Sequence, residues 1–266
     1  MKKLGFIVEM KDCNMKNIAI IFAGGSGARM GSGLPKQFIE VNGKPIIIHT
    51  LEIFEEHPAV DAIYVACKED CISRLQKLVK RFLISKVKDI VPGGATGQDS
   101  ILNGLRAACE GEGRDNIVMI HDGVRPCITA EVIDANLRSV REYGSAVTCT
   151  KFFETPIISH SGNVVEESPD RSSFYTAQAP QSFRLGDVLQ AHDQVRKNNP
   201  NYEGIIDTCT LMRSVGKEVH LVEGNRGNIK VTTPEDLYVF RAMLEYKETQ
   251  QALGLAPGEI AQNLKK

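Results

Sequence analysis

From Asn17 onward, short β-branched apolar runs alternate with stretches of helical periodicity, and each run ends in a polar or glycine-rich loop. That rhythm calls for a mostly parallel sheet with helices on its faces, because parallel neighbours need long crossovers and a helix is the usual one. Residues 18–22 (IAIIF), 61–67 (DAIYVAC), 87–91 (VKDIV) and 116–120 (NIVMI) read as strands. Helices are expected over 45–57, where Ile47, Leu51 and Phe54 share one face, and near 69–83 and 99–111. After residues 145–152 (SAVTCTKF) the rhythm breaks. ETPIISHSGNVVEESPDRSS reads as a β-hairpin around Ser161-Gly162 that projects from the sheet. The pattern resumes with YTAQAPQSF, helices near 184–197 and 207–214, strands at EVHLVEG and NIKVT, and a helix from Pro234 to about Gln250.

A chain of 266 residues, 42% of them hydrophobic, can bury a sizeable α/β core. Residues 1–15 read as an extension, 16–250 as the folded domain with its arm at about 153–172, and 251–266 as a tail without a clear pattern. The 32 Lys and Arg balance 33 Asp and Glu, so the net charge of −1 draws the whole chain to neither nucleic acid nor an anionic membrane. Any anion site must be local. Seven cysteines at 13, 67, 71, 109, 127, 149 and 209 have no disulfide-framework or CxxC spacing, which suits a reducing cytoplasm. The one C-x3-C, Cys67 with Cys71, has no second pair to complete a zinc site. The apolar run near the start is short and is followed by Glu9, Lys11 and Asp12, unlike a signal peptide, and Met15 is a candidate natural start. No apolar run approaches the roughly 20 residues that span a bilayer, so a soluble protein is expected.

Ligands of open α/β sheets sit beyond the carboxyl ends of the strands, and three loops fall there: AGGSGARMG, PGGATGQDS and HDGVRP. In the first, Gly24, Gly25 and Gly27 follow a buried strand, so the backbone can turn tightly and aim N–H groups at a phosphate. It is neither a P-loop nor a dinucleotide fingerprint, since Met30 takes the last glycine position of G-x-G-x-x-G. That removes the main ground for a dehydrogenase. Arg29 and Lys36 flank the cradle, with Pro35 fixing the backbone before the lysine, and the two cations suit a triphosphate. In PGGATGQDS, Asp99 stands at a helix start, where it either caps the helix or meets a base or ribose. Asp122 ends a strand, where a carboxylate either holds Mg²⁺ or a ribose hydroxyl or pairs with Arg125 to shape the loop; His121 reads as a packed neighbour. Farther on, Arg171 and Lys230 are cations near strand ends, and Asp207 precedes a helix as a cap or a hydroxyl ligand.

AGGSGARMG followed by LPKQF, then GKPIIIHT, HDGVRP, APQSF and NIKVTTPEDL, resembles the cytidylyltransferases that make CDP-methylerythritol and CDP-ribitol. The likeness runs from about Lys16 to Leu244. It implies a Rossmann-like nucleotide-diphospho-sugar transferase fold, a homodimer joined through the hairpin arm, Mg²⁺ as cofactor, and CTP and a small polyol phosphate as substrates. It implies that Phe22, Ala23, Gly24, Gly25, Ser26 and Gly27, with Gly94, Ala95, Thr96, Gly97, Gln98, Asp99, Ser100 and Asp122, hold the nucleotide. Arg29 and Lys36 would stabilise the transition state. Arg171 and Lys230 would orient the acceptor for attack, with Arg125, Thr155 and Asp207 near it, and Asp122 would lie at the metal. AGG, PDR before the arm's end, Asp-x-Cys at 207–209 and ETPIIS without a lysine lean toward ribitol 5-phosphate over 2-C-methyl-D-erythritol 4-phosphate. Ala179 departs from both branches, which usually carry Thr there. A nucleotide-binding protein without activity is the reading from another class.

Overall fold

The structure is a computed structural model and describes residues 15–25 and 34–254. Its strands are β1 (Asn17–Ala23), the short pair β2 (Glu40–Val41) and β3 (Lys44–Pro45), β4 (Ala62–Cys67), β5 (Val87–Pro92), β6 (Ile117–Asp122), β7 (Ser145–Lys151), β8 (Tyr175–Arg184) and β9 (Leu221–Glu223). The helices are α1 (Ile46–Glu56), α2 (Ile72–Arg81), α3 (Gly97–Glu112), α4 (Ala130–Tyr143), α5 (Leu185–Asn198), α6 (Thr208–Ser214) and α7 (Pro234–Leu253).

Alternation along the strands divides their side chains between two cores. Ala19 and Ile21 of β1 pack on one face with Ile47, Leu51 and Phe54 of α1 and with α4, whereas Ile18 and Ile20 pack on the other with α3 and α5. The main sheet has the order β5-β4-β1-β6-β8-β7-β9. β8 runs antiparallel to its neighbours β6 and β7, while the other pairings are parallel. The chain winds outward from β1 through β4 to β5, then returns to β6 on the other side of β1. The strand order therefore reverses between β1 and β6, the point at which such sheets open a crevice at the strands' carboxyl ends.

Several elements differ from expectation. Residues 228–232 (NIKVT) are not a strand: they run beside the turn after β6, where the Val231 amide donates to the Val124 carbonyl at 2.9 Å. Their apolar side chains do pack, Val231 with Val124 and Phe240 of α7, but against a loop and not in a ladder. Of EVHLVEG only Leu221–Glu223 joins the sheet. α4 had no expected counterpart, although Val132, Ile133, Leu137 and Val140 are buried at helical spacing and Gly144, at φ +81°, ends the helix in the left-handed conformation. Asn42 and Gly43, both at positive φ, turn the β2–β3 hairpin that the sequence reading also omitted. The arm has the expected form: Ile158 and Glu167 bridge antiparallel around a turn at Gly162, and most of the segment is exposed.

Candidate active site

The glycine loop leaves β1 at the centre of the sheet, so its first amides lie at the crevice. Ser26, Gly27 and Arg29 lie outside the described residues. Where the chain resumes, Pro35 leads into a 3-10 turn over Lys36–Phe38. Gln37 Nε2 donates to the Ala23 carbonyl at 2.8 Å and fastens this turn to the end of β1. Phe38 is buried in the core, with the Arg74 guanidinium 4.7 Å from its ring centroid. Lys36, between these anchors, runs its stem past Gly25, where an added Cβ would lie 3.7 Å from the lysine Cε. The lysine is largely buried, and its approach to the cradle is fixed by its two neighbours in sequence.

The second loop closes on itself. Thr96 and Asp99 form a capping box at the start of α3: Asp99 N donates to Thr96 Oγ1 at 3.0 Å, and Thr96 N to Asp99 Oδ2 at 3.1 Å. Ser100 Oγ accepts from the Gly94 amide at 3.0 Å and donates to the Thr96 carbonyl at 3.0 Å. The same hydroxyl would lie 3.3 Å from a Cβ on Gly24, so Ser100 sits between the two glycine loops. Gly94 must be glycine, since any Cβ there would collide with Asp99. The Asp99 carboxylate is thus engaged within the loop, as the capping alternative had it.

Asp122, the last residue of β6, pairs in register with Phe22 of β1 and forms the electrostatic centre of the crevice. Lys230 Nζ lies 2.6 Å from its Oδ1 and Arg125 Nε 2.8 Å from its Oδ2. Burial alone would raise the carboxyl's pKa, but the charges of Lys230 and Arg125 outweigh it and hold the group below its ordinary value. Arg125 also donates from Nη1 to the Asn228 carbonyl at 2.8 Å, so it locks the 122–125 turn to the segment carrying Lys230. Asn228, wholly buried, donates from Nδ2 to the Ala179 carbonyl at 2.6 Å and ties that segment to β8. Beneath Asp122, His121 is buried against Phe54, and burial pushes its ring down to about 4. Neutral at pH 7, it donates from Nε2 to the Arg125 carbonyl at 3.1 Å, the packed neighbour expected.

Two cavities meet at this centre. One, of about 320 Å³, is lined by Gly24, Gly25, Lys36, Gly94, Ala95 and Ser100 among others. The other, of about 310 Å³, is bounded by Gln98, Arg125, Ala179, Gln181, Tyr202 and Asp207 among others. Phe22, Thr96, Gly97, Asp122 and Lys230 line both, so the crevice is continuous. Asp207 caps α6, accepting from Thr210 N at 2.8 Å, and Gln181 Nε2 donates to its other oxygen at 2.8 Å. The sequence reading did not single out Gln181 or Asn228, because neither binds a recognisable motif partner in sequence; both contacts are long-range. Thr155 and Arg171 are exposed on the arm and line neither cavity.

A cradle of backbone amides, a buried carboxylate between two cations and a lysine aimed at the cradle suit an α/β protein that handles phosphoryl groups. Residues 17–246 match the family described as IspD, 2-C-methyl-D-erythritol 4-phosphate cytidylyltransferase. A ribitol-5-phosphate cytidylyltransferase of Streptococcus agalactiae serotype V is 46% identical over 243 residues, 91% of this chain and 100% of the relative. A 2-C-methyl-D-erythritol 4-phosphate cytidylyltransferase of Clostridium botulinum is 36% identical over 233 residues, 86% of this chain and 98% of the relative. The solved 4-diphosphocytidyl-2C-methyl-D-erythritol synthase of Anaerococcus prevotii superposes with a TM-score of 0.75 at 26% identity, covering 87% of this chain and 97% of that one. The chain belongs to the IspD family of cytidylyltransferases.

Proposed function

We propose that this chain transfers CMP from CTP to ribitol 5-phosphate, giving CDP-ribitol and pyrophosphate. The observation that carries the reaction type is the gathering of Lys36, Asp122 and Lys230 around the glycine cradle in one continuous crevice. The acceptor is supported by the full-length identity of 46% to a ribitol-5-phosphate cytidylyltransferase, against 36% to the methylerythritol branch.

A phosphate monoester has its second pKa near about 6, so the acceptor's oxygen is ionised at pH 7 and needs no general base. It attacks the α-phosphorus of CTP in line, and pyrophosphate leaves. Gly24 and Gly25 offer amides to the triphosphate, Lys36 and Arg29 balance the charge that grows during transfer, and the Gly94–Ser100 loop holds the base and ribose. Lys230 faces the acceptor's phosphate from the side of Asp122. Mg²⁺ typically takes one or two carboxylates with substrate phosphates, and Asp122 is the carboxylate that lines both cavities. Asp122 would hold it, and the ion would supply neutralisation of the phosphate charge.

The arm exposes Phe153, Ile157, Val164, Val165, Phe174 and Tyr175, an apolar surface that suits pairing with a second copy. In such a homodimer the arm would carry Thr155 and Arg171 to the partner's crevice. The free cysteines and the substrates suit the cytoplasm, and no described helix is long and apolar enough to cross a membrane.

Pyrophosphate release from CTP and Mg²⁺, measured with each acceptor in turn, tests the reading. Release with ribitol 5-phosphate is expected. Release only with 2-C-methyl-D-erythritol 4-phosphate would place the chain in isoprenoid precursor synthesis, the second reading, which the family description favours. CTP binding without release from either acceptor would identify a nucleotide-binding protein instead.

A further inference from the structure

At the end of α2 a leucine stands where glycine is usual. Leu83 has φ +56° and is 83% exposed. The Ile84 amide donates to the Val79 carbonyl at 3.0 Å and the Leu83 amide to the Lys80 carbonyl at 3.3 Å, the paired bonds that close a helix through a left-handed residue. A bulky side chain rarely takes that conformation. Here it is held out in solvent while the next residue, Ile84, is buried. A backbone outlier that also exposes an apolar group is a physical ground for seeking a function outside the chain.

The surroundings of Leu83 are strongly basic. Residues 72–90 hold six cations against one acid, Asp89, a net charge of +5 in a chain whose total is −1. Lys77, Lys80 and Lys88 are exposed, and none of them enters an ion pair among the described residues. Glu55 of α1 reaches the same turn, but its oxygens accept from the Ser85 and Lys86 amides at 3.0 and 2.8 Å. Between α2 and β5, the edge strand of the sheet, runs an open groove of about 470 Å³. Val79, Ile84, Val87 and Ile90 line it, with Lys80 and Lys88 beside them.

This face lies away from the crevice. The turn after α2 enters β5 at Val87, whereas the second glycine loop follows Pro92 at the other end of that strand. A strand of this length separates the two by about 15 to 20 Å. Whatever meets Leu83 leaves the crevice open.

We propose that the end of α2 and the entry to β5 form a peripheral docking surface for an anionic lipid bilayer. Leu83 enters the headgroup layer, and Lys77, Lys80 and Lys88 face the lipid phosphates. An anionic bilayer is charged at its surface and apolar just beneath, which matches a protruding leucine ringed by lysines. Nucleic acid offers the charge without the apolar layer and leaves Leu83 unexplained. The docking surface goes beyond the reaction proposed above and does not rest on it.

The test is cosedimentation of the full chain with vesicles of phosphatidylcholine alone and with vesicles containing about 30% phosphatidylglycerol. Wild type should bind the anionic vesicles at least about 10-fold more tightly and be released as salt is raised. Leu83→Asn keeps a residue that tolerates the left-handed conformation, so it should melt no lower than wild type and bind about 5- to 20-fold more weakly. The exposed pair Lys77→Gln and Lys80→Gln together should weaken binding by about 10- to 30-fold, and this variant decides the matter if Leu83→Asn is unstable. Equal binding to the two kinds of vesicle, binding to neither, or unchanged binding by the lysine variant overturns the proposal. If Leu83→Asn folds and binds like wild type, and polyglutamate captures the chain as well as anionic vesicles do, the face is a site for acidic protein segments and the bilayer reading fails.

Discussion

The two ends of the crevice are built differently. Around the glycine loops, several polar groups are tied to one another within the same few loops: Gln37 to Ala23, Thr96 to Asp99, Ser100 to Gly94 and Thr96. Toward the arm, cations stand exposed on segments that come from distant parts of the chain, as Arg171 and Arg226 do on Phe153. The closed end has the fixed polar groups that the proposed activation of CTP would need, since preorganisation lowers the cost of stabilising a transition state. At the open end the cations keep only exposed contacts with Phe153, while Gln181 and Asp207 hold each other. On the proposed function, activation and acceptor choice should therefore be separable.

The strongest way to break that separation is Lys36→Ala. It should fold normally and lose about 10² to 10³ in kcat, about 3 to 4 kcal/mol of barrier, by the same factor with either polyol phosphate. A loss that depends on the acceptor would show that the two ends act as one. Arg171→Ala should do the reverse, raising the acceptor KM by about 10- to 100-fold with little change in the CTP KM. A comparable rise in the CTP KM would place Arg171 at the nucleotide.

Stability should respond to acid through two buried histidines, one beneath each end. His121 lies under Asp122, and His192 meets the hydroxyl of Tyr202, a residue lining the acceptor side, at 2.8 Å. Burial pushes both rings down to about 4 from 6.5, and Arg106 and Arg196 add to the shift at His192. Below about pH 6.5 the unfolded chain takes up protons that the folded one refuses, so stability falls as pH drops from 6.5 toward 4. Unfolding free energies from denaturant titrations at pH 7 and pH 5 should differ by about 2 kcal/mol per histidine. His192→Gln should remove about half of that slope. The smallest expected effect is Thr96→Ala, which removes the cap of α3, costs about 1 kcal/mol of stability, and should raise the CTP KM more than that of the acceptor.

The same division marks what was legible in the sequence. The closed end was partly readable because its contacts are local: strands and glycine loops lie within a few residues of each other, and Asp122 ends a strand that its apolar run identifies. The mostly parallel character of the sheet followed from the same alternation. NIKVT misled because its apolar alternation matches a strand, while its partner is the turn after β6. Arg226 carried no signal, and the roles of Asn228 and Gln181, though they lie in quoted motifs, were hidden because each bonds to a residue tens of positions away. Asp207 and Asp99 were open between capping and ligand binding, and both spend carboxylate oxygens on caps.

Competition between the two acceptors in one vessel tests the central claim most directly. With CTP, Mg²⁺ and equal ribitol 5-phosphate and 2-C-methyl-D-erythritol 4-phosphate, the wild-type chain should form CDP-ribitol in clear excess, resolved by mass. Predominant CDP-methylerythritol, or neither product, would contradict it.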